Sequence, residues 1–374
     1  MATKRPLLRV TLKSSFIQPS SDEIFSSRWK RLESFLNALY LVQTSPTGSE
    51  GLKDYSYEEL YGSVVDICSQ NMSDKLFSRL CASLETRASL LFDTLPSESP
   101  DAGVFLARVR SAWGIFCSEL SLQRSIFQHL DRSYLACQPG SKSLFDVGVN
   151  VWGLQLSGRR RTLLELTADS MCREILRERR GESIDREVMS SLTHMLVLVS
   201  LFADNLHDPL LECTAAFYEE EGLRLINSLP IPQYLVHVEN RLLEERERIL
   251  AILNSERNDA HFSQHGGGLR KSLLGEMISR MEDSLIARHT STILSGLPAL
   301  LSLGQLTDLR RLYGLITRVR KLDAFRAQFS SFVKVRNCEH LACHFTLTSP
   351  YLVHLFRAHT HDSNFTPFRL LGQK

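Results

Sequence analysis

The sequence predicts an all-α protein, an elongated rod in which helical repeats stack in the manner of an α-solenoid. Three observations predict this fold. Apolar residues recur at three- and four-residue spacing along most of the chain, as in the stretch Leu122–Leu135. The helical groups are of similar size and follow one another, with no strand-rich region between them. The 374 residues, 43% of them hydrophobic, exceed the about 250 to 300 residues that a single core usually serves.

The chain begins with a candidate extended arm, residues 1–21. Leu8, Val10 and Leu12 alternate with other side chains ahead of a polar segment, which is the pattern of a strand-like peptide. No neighbouring segment of the sequence is suited to pair with this peptide. We therefore expect the arm to be disordered or to be bound to the surface of a partner.

The first helical group is assigned to residues 22–155. In the helix predicted at Tyr57–Cys68, Tyr57, Tyr61 and Val65 widen the apolar arc beyond the roughly 100° that faces a single core. The wide arc predicts a second contact surface, and the alternative is a helix that is buried on all sides. The other helices expected in this group are Phe25–Leu39, Phe77–Leu91, Val104–Leu120, Leu122–Leu135 and Phe145–Trp152.

Two further groups are assigned to residues 156–265 and 266–336, the last being only a partial repeat. In the second group, Gly181 is expected to end a helix that starts at Thr162, and Ser183 to cap the next helix. The other helices expected here are Val188–Val199, Leu210–Ile226, Tyr234–Leu253, Leu273–Leu285, Ile293–Leu303, Leu306–Val319 and Phe325–Val335.

Composition argues against several function classes. The net charge is only +2, with 44 basic and 42 acidic residues, so no global basic footprint points to nucleic acid. The longest apolar runs, such as Met195–Phe202, are far shorter than the about 20 residues that cross a bilayer. The first ten residues contain no signal-peptide pattern. The eight cysteines are scattered along the chain, and we expect them to be reduced, in a protein of the nucleus and cytoplasm.

Seven motifs, in the same order along the chain, resemble the N-terminal repeat region of the cullin family, the scaffolds of multisubunit ubiquitin ligases. The motifs are Y-S-Y-E-E-L-Y-G-S-V-V-D-I-C (Tyr55–Cys68), R-S-I-F-Q-H-L-D-R-S-Y (Arg124–Tyr134), S-L-F-D-V-G (Ser143–Gly148), I-L-R-E-R-R-G-E-S-I-D-R (Ile175–Arg186), L-L-E-C-T-A-A-F-Y-E-E-E-G (Leu210–Gly222), P-Q-Y-L-V-H-V-E-N-R-L-L-E-E (Pro232–Glu245) and D-L-R-R-L-Y-G-L-I-T-R-V (Asp308–Val319). The resemblance implies a stack of five-helix cullin repeats.

The N-terminal arm narrows the resemblance to one branch of the family. Its sequence L-L-R-V-T-L-K-S-S-F, with Trp29 downstream, is similar to an extension found in cullin-4. This implies a triple β-propeller adaptor of the DDB type and, through it, WD-repeat substrate receptors. The partner-binding residues that the resemblance implies lie on the arm and on two helices: Leu8, Val10, Leu12, Tyr61, Val65, Ile126 and His129. Ile126 also fits a core stripe.

The resemblance stops near Arg336. A full cullin continues into a C-terminal half that holds a RING-box subunit and carries a modified lysine, and neither has a counterpart in this sequence. The resemblance therefore implies no RING-box partner and no ligase assembly for this polypeptide. Residues 337–374, which are rich in cysteine and histidine, are assigned to a divergent tail that we expect to be disordered.

Two other patterns in the sequence are candidate sites. In the tail, Cys338, Cys343, His354 and His359 approach the spacing of zinc ligands, although the central spacing is short, so a disordered tail is the favoured interpretation. The basic run 159–161 could contact phosphate, but nearby acidic residues favour a solvated face. The chain offers no set of nucleophile, base and orienting group, so we expect no catalytic site, no resident metal and no cofactor.

The first hypothesis is therefore a non-catalytic scaffold that docks an adaptor and has no chemistry of its own. Two alternatives stay open. One is a truncated cullin-like protein that sequesters the adaptor without ligase activity. The other is a helical-repeat protein that binds nucleic acid, which would show a steep dependence of binding on salt concentration.

Overall fold

A computed structural model of the chain describes residues 20–42, 52–96, 101–140, 142–158, 160–253 and 272–335. The prediction of an all-α fold is confirmed throughout these ranges, which contain helices and turns and no strand. The described residues form two compact units. The first unit comprises those within Met1–Cys213 and Ile249–Leu273, and the second those within Thr214–Arg248 and Leu274–Lys374. The repeat boundaries given above stay predictions.

Fifteen helices are found in the described ranges, most of them at the predicted places. They are α1 Ser21–Val42, α2 Tyr57–Ser69, α3 Ser73–Asp93, α4 Ala102–Ile126, α5 Gln128–Ser133, α6 Leu144–Ser157, α7 Arg161–Arg179, α8 Arg186–Leu198, α9 Asp208–Ser228, α10 Ile231–Leu253, α11 272–282, α12 Thr290–Ser295, α13 Leu297–Ser302, α14 Leu306–Arg318 and α15 Leu322–Val335. A 3-10 turn, Leu135–Cys137, follows α5, and π-helical turns, Ala203–His207 and Asp283–Ala287, precede α9 and follow α11.

Aromatic side chains fill the centre of the first unit, where α3, α4 and α6 pack together. The fully buried Trp152 lies with its ring centroid 4.3 Å from that of Phe92, 4.9 Å from Phe116 and 5.2 Å from Trp113. Tilted and edge-on aromatic contacts of this kind contribute beyond the area they bury. These rings fix how the three helices pack.

A buried ion pair joins α3 to α4 beside this aromatic core. Arg87 donates to Glu119 from Nε at 2.9 Å and from Nη2 at 2.5 Å, and both side chains are at most 5% exposed. The Tyr40 ring of α1 lies 4.9 Å from the guanidinium carbon. Burial raises the pKa of the Glu119 carboxyl, and the hydrogen bonds and charge of Arg87 oppose that shift. The pair holds three helices at one point.

The prediction of one helix over Leu122–Leu135 is wrong. The helix that starts at Ala102 continues to Ile126, and Phe127, with φ −86° and ψ 16°, separates it from the six-residue α5. A four-residue spacing advances by about 40° at each step on a helix of 3.6 residues per turn, so the predicted stripe cannot face one core over three steps. The chain turns instead, and this buries both Ile126 and Phe127.

The end of α7 is confirmed, whereas the predicted start of the next helix is wrong. Gly181 has φ +92° and follows the last residues of α7, as a C-terminal glycine should. The N-cap of α8 is Asp185 rather than Ser183, because the Asp185 carboxylate accepts hydrogen bonds from the backbone N–H groups of Glu187 and Val188, both at 3.0 Å. A carboxylate also interacts well with the positive end of the helix dipole.

In the second unit, Tyr234 of α10 is buried and donates a hydrogen bond to the backbone carbonyl of Leu285 at 2.7 Å. The helix predicted at Ile293–Leu303 is divided at Gly296, where the side chain of Ile231 comes within 2.9 Å of the position that a Cβ would take. This close approach requires glycine.

A pair of charged contacts also joins α9 to α10 in the second unit. Glu221 is 5% exposed and accepts a hydrogen bond from Arg241 Nη2 at 2.6 Å, and His237 Nε2 lies 3.4 Å away. Burial alone would raise the pKa of Glu221, but the nearby His237 and the hydrogen bonds from Arg241 outweigh it, so the net pKa is lowered.

One local structure recurs three times. The helices α2, α8 and α14 are each 13 residues long. Each is followed by a non-glycine residue with positive φ, and these residues, Asn71, Ser200 and Arg320, have φ between 56° and 60°. In each case the backbone makes the two hydrogen bonds of a Schellman turn. The three turns recur at intervals of about 120 to 130 residues.

Residues 1–19 of the arm lie outside the described residues, as do the tail and the candidate zinc ligands Cys338, Cys343, His354 and His359. The last residue assigned to the arm, Ser21, is the first residue of α1. Within the described ranges, no cluster of three or more acidic, histidine or cysteine side chains could hold a metal ion. No helix in those ranges is both long and apolar enough to span a membrane.

Candidate functional site

An exposed aromatic contact joins α2 to α5. The rings of Tyr61 and His129 lie edge to face, with centroids 6.4 Å apart and an interplanar angle of 86°. Tyr61 is 39% exposed, whereas His129 and the neighbouring Val65 are half-buried. We call these three residues the α2–α5 patch.

The position of Tyr61 follows from how α2 is built. Ser56 is the N-cap and accepts a hydrogen bond from the backbone N–H of Glu59, which fixes where the helix starts. Leu60, Val64 and Ile67 are buried, and α2 packs with α1 and α4. Tyr61 directly follows the buried Leu60, and one residue is a rotation of about 100° on an α-helix, so Tyr61 lies on the flank of the buried face and is left at the surface.

Ionic contacts with α1 border α2 on another side. Arg28 lies 2.8 Å from Asp66, and Arg31 is paired with Glu59. All four side chains are between 44% and 55% exposed, so these pairs contribute little to stability. They fix α1 against the side of α2 that faces away from Tyr61.

Tertiary contacts hold the short α5 in place, since a six-residue helix is not stable by itself. Leu130 is fully buried below it. The Asp131 carboxylate accepts a hydrogen bond from the backbone N–H of Leu144 at 2.8 Å, at the start of α6, and Arg124 lies 3.7 Å from the same carboxylate. Ser143 and Asp146 complete a capping box on α6. The position of His129 therefore depends on α6.

The end of α5 is fixed to α3. The ring of Tyr134 lies 5.9 Å from that of Phe77. A hydrogen bond with the Asp74 carboxylate raises the pKa of the Tyr134 hydroxyl. Together with Asp131, this contact orients the C-terminal half of α5.

The structure distributes the predicted partner-binding residues in three ways. Tyr61, Val65 and His129 lie at the surface as one patch. Ile126 does not, because it is 1% exposed and is the last residue of α4, so its assignment as a partner-binding residue is corrected to a core residue. Leu8, Val10 and Leu12 lie outside the described residues.

Tyr57 belongs to the wide apolar arc predicted for α2, but it was not among the predicted partner-binding residues. It is 50% exposed, lies one turn before Tyr61, and its ring centroid is 6.4 Å from that of Phe35 in α1. The four-residue spacing of Tyr57, Tyr61 and Val65 was the signal that could have identified it. With Tyr57, the exposed aromatic surface extends from α5 to the edge of α1.

The chemical character of this surface is suited to binding. Exposed amphipathic aromatic rings of this kind are enriched at the centres of protein–protein interfaces. The three residues of the patch contain no group arranged as a nucleophile with its base.

A second concavity in the first unit has a volume of about 380 Å³ and is lined at the start of α4 and along α7. Its acids already have partners within the protein. Asp101 accepts a hydrogen bond from the Val104 backbone N–H at 3.1 Å, and the buried Glu174 pairs with Arg177 at 2.8 Å. Both acids of the lining are therefore paired within the protein, and the rest of the polar lining is Arg173, Arg177 and Arg180.

Comparison with known proteins connects the patch to a family. Residues 29–344 match the model of the cullin alpha solenoid domain, a range that includes the whole α2–α5 patch and extends into the predicted tail. Cullin-4A of Homo sapiens is 29% identical over 315 residues, which are 84% of this chain and 38% of that protein.

Two more relatives show the same partial coverage. Cullin-4 of Dictyostelium discoideum is 27% identical over 322 residues, covering 85% of this chain and 37% of that protein. Cullin-3B of Arabidopsis thaliana is 26% identical over 299 residues, covering 78% of this chain and 37% of that protein. The chain thus spans less than two fifths of the length of these relatives.

Proposed function

The chain belongs to the cullin family, and from that membership we propose that it is a non-catalytic scaffold that docks an adaptor of a cullin-RING ubiquitin ligase through the α2–α5 patch. The observation that carries the proposal is the contact between Tyr61 and His129. Two segments that are distant in sequence bring an aromatic pair to the surface of the part of the chain that matches the family.

The physical argument concerns what a partner gains at this surface. A tyrosine has only two side-chain torsions, and its ring here is already oriented by His129, so little conformational entropy is lost when a partner covers it. Buried tyrosines near the centre of interfaces are among the residues whose truncation weakens binding most. Tyr57 adds a second ring one turn away.

We propose further that the adaptor is a DDB-type triple β-propeller protein, which in turn carries WD-repeat substrate receptors. The support is the similarity to cullin-4 relatives from Homo sapiens, Mus musculus and Dictyostelium discoideum, together with the sequence of residues 1–21. On this proposal the protein acts in the nucleus and cytoplasm.

Calorimetric titration of the full chain with the purified triple-propeller adaptor tests both parts. Tyr61→Ala should weaken binding about 30-fold, corresponding to about 2 kcal/mol, because it removes the ring at the centre of the surface. Leu154→Ala is the matched control, since Leu154 is a 65% exposed apolar side chain of the same unit on α6. The affinity of the Leu154→Ala variant for the adaptor should equal that of the wild type.

Deletion of Met1–Ser20 separates the patch from the arm. We expect this deletion to weaken adaptor binding as well. If Tyr61→Ala and the deletion both leave the affinity at the wild-type value, the docking proposal is wrong. If another class of cullin adaptor binds and the β-propeller protein does not, the scaffold function stands and the assignment of the adaptor fails.

A further inference from the structure

Two cysteine side chains from distant parts of the sequence meet inside the first unit. Cys172 lies on α7 and Cys213 in the second turn of α9, and their thiols are hydrogen-bonded to each other. Neither forms a disulfide in the structure. Cys172 is buried and Cys213 is half-buried, so Cys213 is the more exposed member of the pair.

The surroundings make the two thiols unequal. The guanidinium of Arg179, itself 1% exposed, donates from Nη1 to Cys213 Sγ at 3.8 Å. A cationic group beside sulfur favours the thiolate, which is the nucleophilic form. The hydrogen bond to Cys213, together with burial, raises the pKa of the Cys172 thiol. Arg179 also acts on Cys172, and the Cys213 thiol donates to the Leu210 carbonyl at 3.3 Å. Cys213, the less buried of the two and the one whose sulfur accepts from the guanidinium, is therefore the sulfur suited to release its proton and be oxidised first.

We propose that Cys172 and Cys213 form a reversible disulfide when the protein meets a peroxide, so that α7 and α9 carry a redox-sensitive crosslink within the first unit. This is separate from adaptor docking, because neither residue belongs to the α2–α5 patch.

The chemistry proceeds in two displacements. The Cys213 thiolate attacks one oxygen of hydrogen peroxide, so that an S–O bond forms and the O–O bond breaks. The hydroxide that leaves takes up the proton that Cys213 released and becomes water. The Cys172 sulfur then attacks the sulfur of the resulting sulfenic acid. The S–S bond forms, the S–O bond breaks, and the second hydroxide leaves as water with the Cys172 proton. Two thiols are oxidised by two electrons, and the peroxide is reduced to two water molecules.

A crosslink at this place has a measurable effect on stability. It ties residues on two helices whose connecting chain is otherwise unconstrained after unfolding, and closing such a loop stabilises the folded state relative to the unfolded chain. All three tryptophans of the sequence, Trp29, Trp113 and Trp152, lie in the first unit, so tryptophan fluorescence follows the unfolding of that unit. We expect oxidation to raise its melting temperature by several degrees.

Peptide mapping of the full chain gives the direct test. The protein is treated with hydrogen peroxide under native conditions, blocked with N-ethylmaleimide, digested and analysed by mass spectrometry. The expected product is a linked pair of peptides that contain Cys172 and Cys213, lighter by two hydrogen atoms and released by dithiothreitol. Cys137→Ser is the matched control, because Cys137 is exposed and its loss should leave the link intact. Cys213→Ser should abolish the link.

Three results would overturn the proposal. The first is that Cys172 and Cys213 both remain alkylatable after Cys137 has been oxidised. The second is a linked pair that forms only in urea, which would assign it to the unfolded chain. The third is a link found only in disulfide-bonded dimers on a non-reducing gel. Mapping of the wild-type protein decides the matter even if Cys213→Ser fails to fold.

Discussion

Removing one member of the buried pair between Arg87 and Glu119 should destabilise the first unit far more than removing both. In Glu119→Ala the guanidinium stays between α3 and α4 with at most 5% of its surface exposed, and it loses two charge-assisted hydrogen bonds. The Tyr40 ring remains near the guanidinium, but a cation–π contact stabilises the charge less than the two hydrogen bonds to a carboxylate do.

The magnitude follows from the two lost bonds and from the burial of the remaining charge. A hydrogen bond to a charged group contributes about 1.5 to 3 kcal/mol, and leaving a buried charge without its partner costs about 3 to 5 kcal/mol in all. We therefore expect the free energy of unfolding of the first unit to fall by about 3 to 5 kcal/mol in Glu119→Ala. The double variant Arg87→Met with Glu119→Leu removes both charges and keeps the volume, so most of this loss should disappear.

Urea denaturation monitored by tryptophan fluorescence is the suitable assay, because the signal comes from the first unit alone. The two single variants and the double variant form a thermodynamic cycle with the wild type. A loss smaller than about 1 kcal/mol in Glu119→Ala would refute the reasoning, because it would mean that water solvates the remaining guanidinium. If the double variant is as unstable as Glu119→Ala, the loss of stability comes from altered packing and not from an unpaired charge.

Three further outcomes are expected. Ser200→Gly should stabilise the first unit by about 0.5 to 1 kcal/mol in the same urea assay, since φ is +59° at this exposed residue, and destabilisation would contradict the reasoning. Gly148→Ala should destabilise it by about 1 to 3 kcal/mol, because the new Cβ would lie 2.4 Å from the buried Leu120 side chain, and an unchanged urea midpoint would show that this side chain moves aside. The lowered pKa of Glu221 stabilises the second unit above the carboxyl's ordinary value of 4.5, and this contribution should disappear as the pH falls through the lower folded value. Hydrogen exchange of α9 measured down this pH range checks it, and a Glu221→Gln variant with the same pH dependence would exclude this carboxylate as the source.

Much of the fold was predictable because it depends on local periodicity. The apolar stripes of α1, α2 and α14 can be recognised from residue spacing alone. Gly181 marks the end of a helix because glycine adopts positive φ easily. The turn at Phe127 was missed because apolar residues on both sides of a short break continue the same four-residue pattern.

The candidate site was predictable only in part, for reasons of distance along the chain. That Tyr61 and His129 share a surface follows from tertiary packing, and only the resemblance to a family brought them together beforehand. The sequence did not decide whether Ile126 is buried or exposed, because core residues and interface residues of a helix have the same apolar spacing. Arg87 and Glu119 look like any surface charges in sequence, because nothing local indicates that each will meet the other in the core.

The three Schellman turns at Asn71, Ser200 and Arg320 bear on how such a chain can diverge. An amide, a hydroxyl and a guanidinium occupy the same left-handed position, so the backbone hydrogen bonds, rather than any particular side chain, define the joint. These positions are then free to change identity during evolution while the path of the chain is conserved. For the same reason they are natural splice points for building chimaeras, in which a segment from one relative replaces that of another without disturbing the helices on either side.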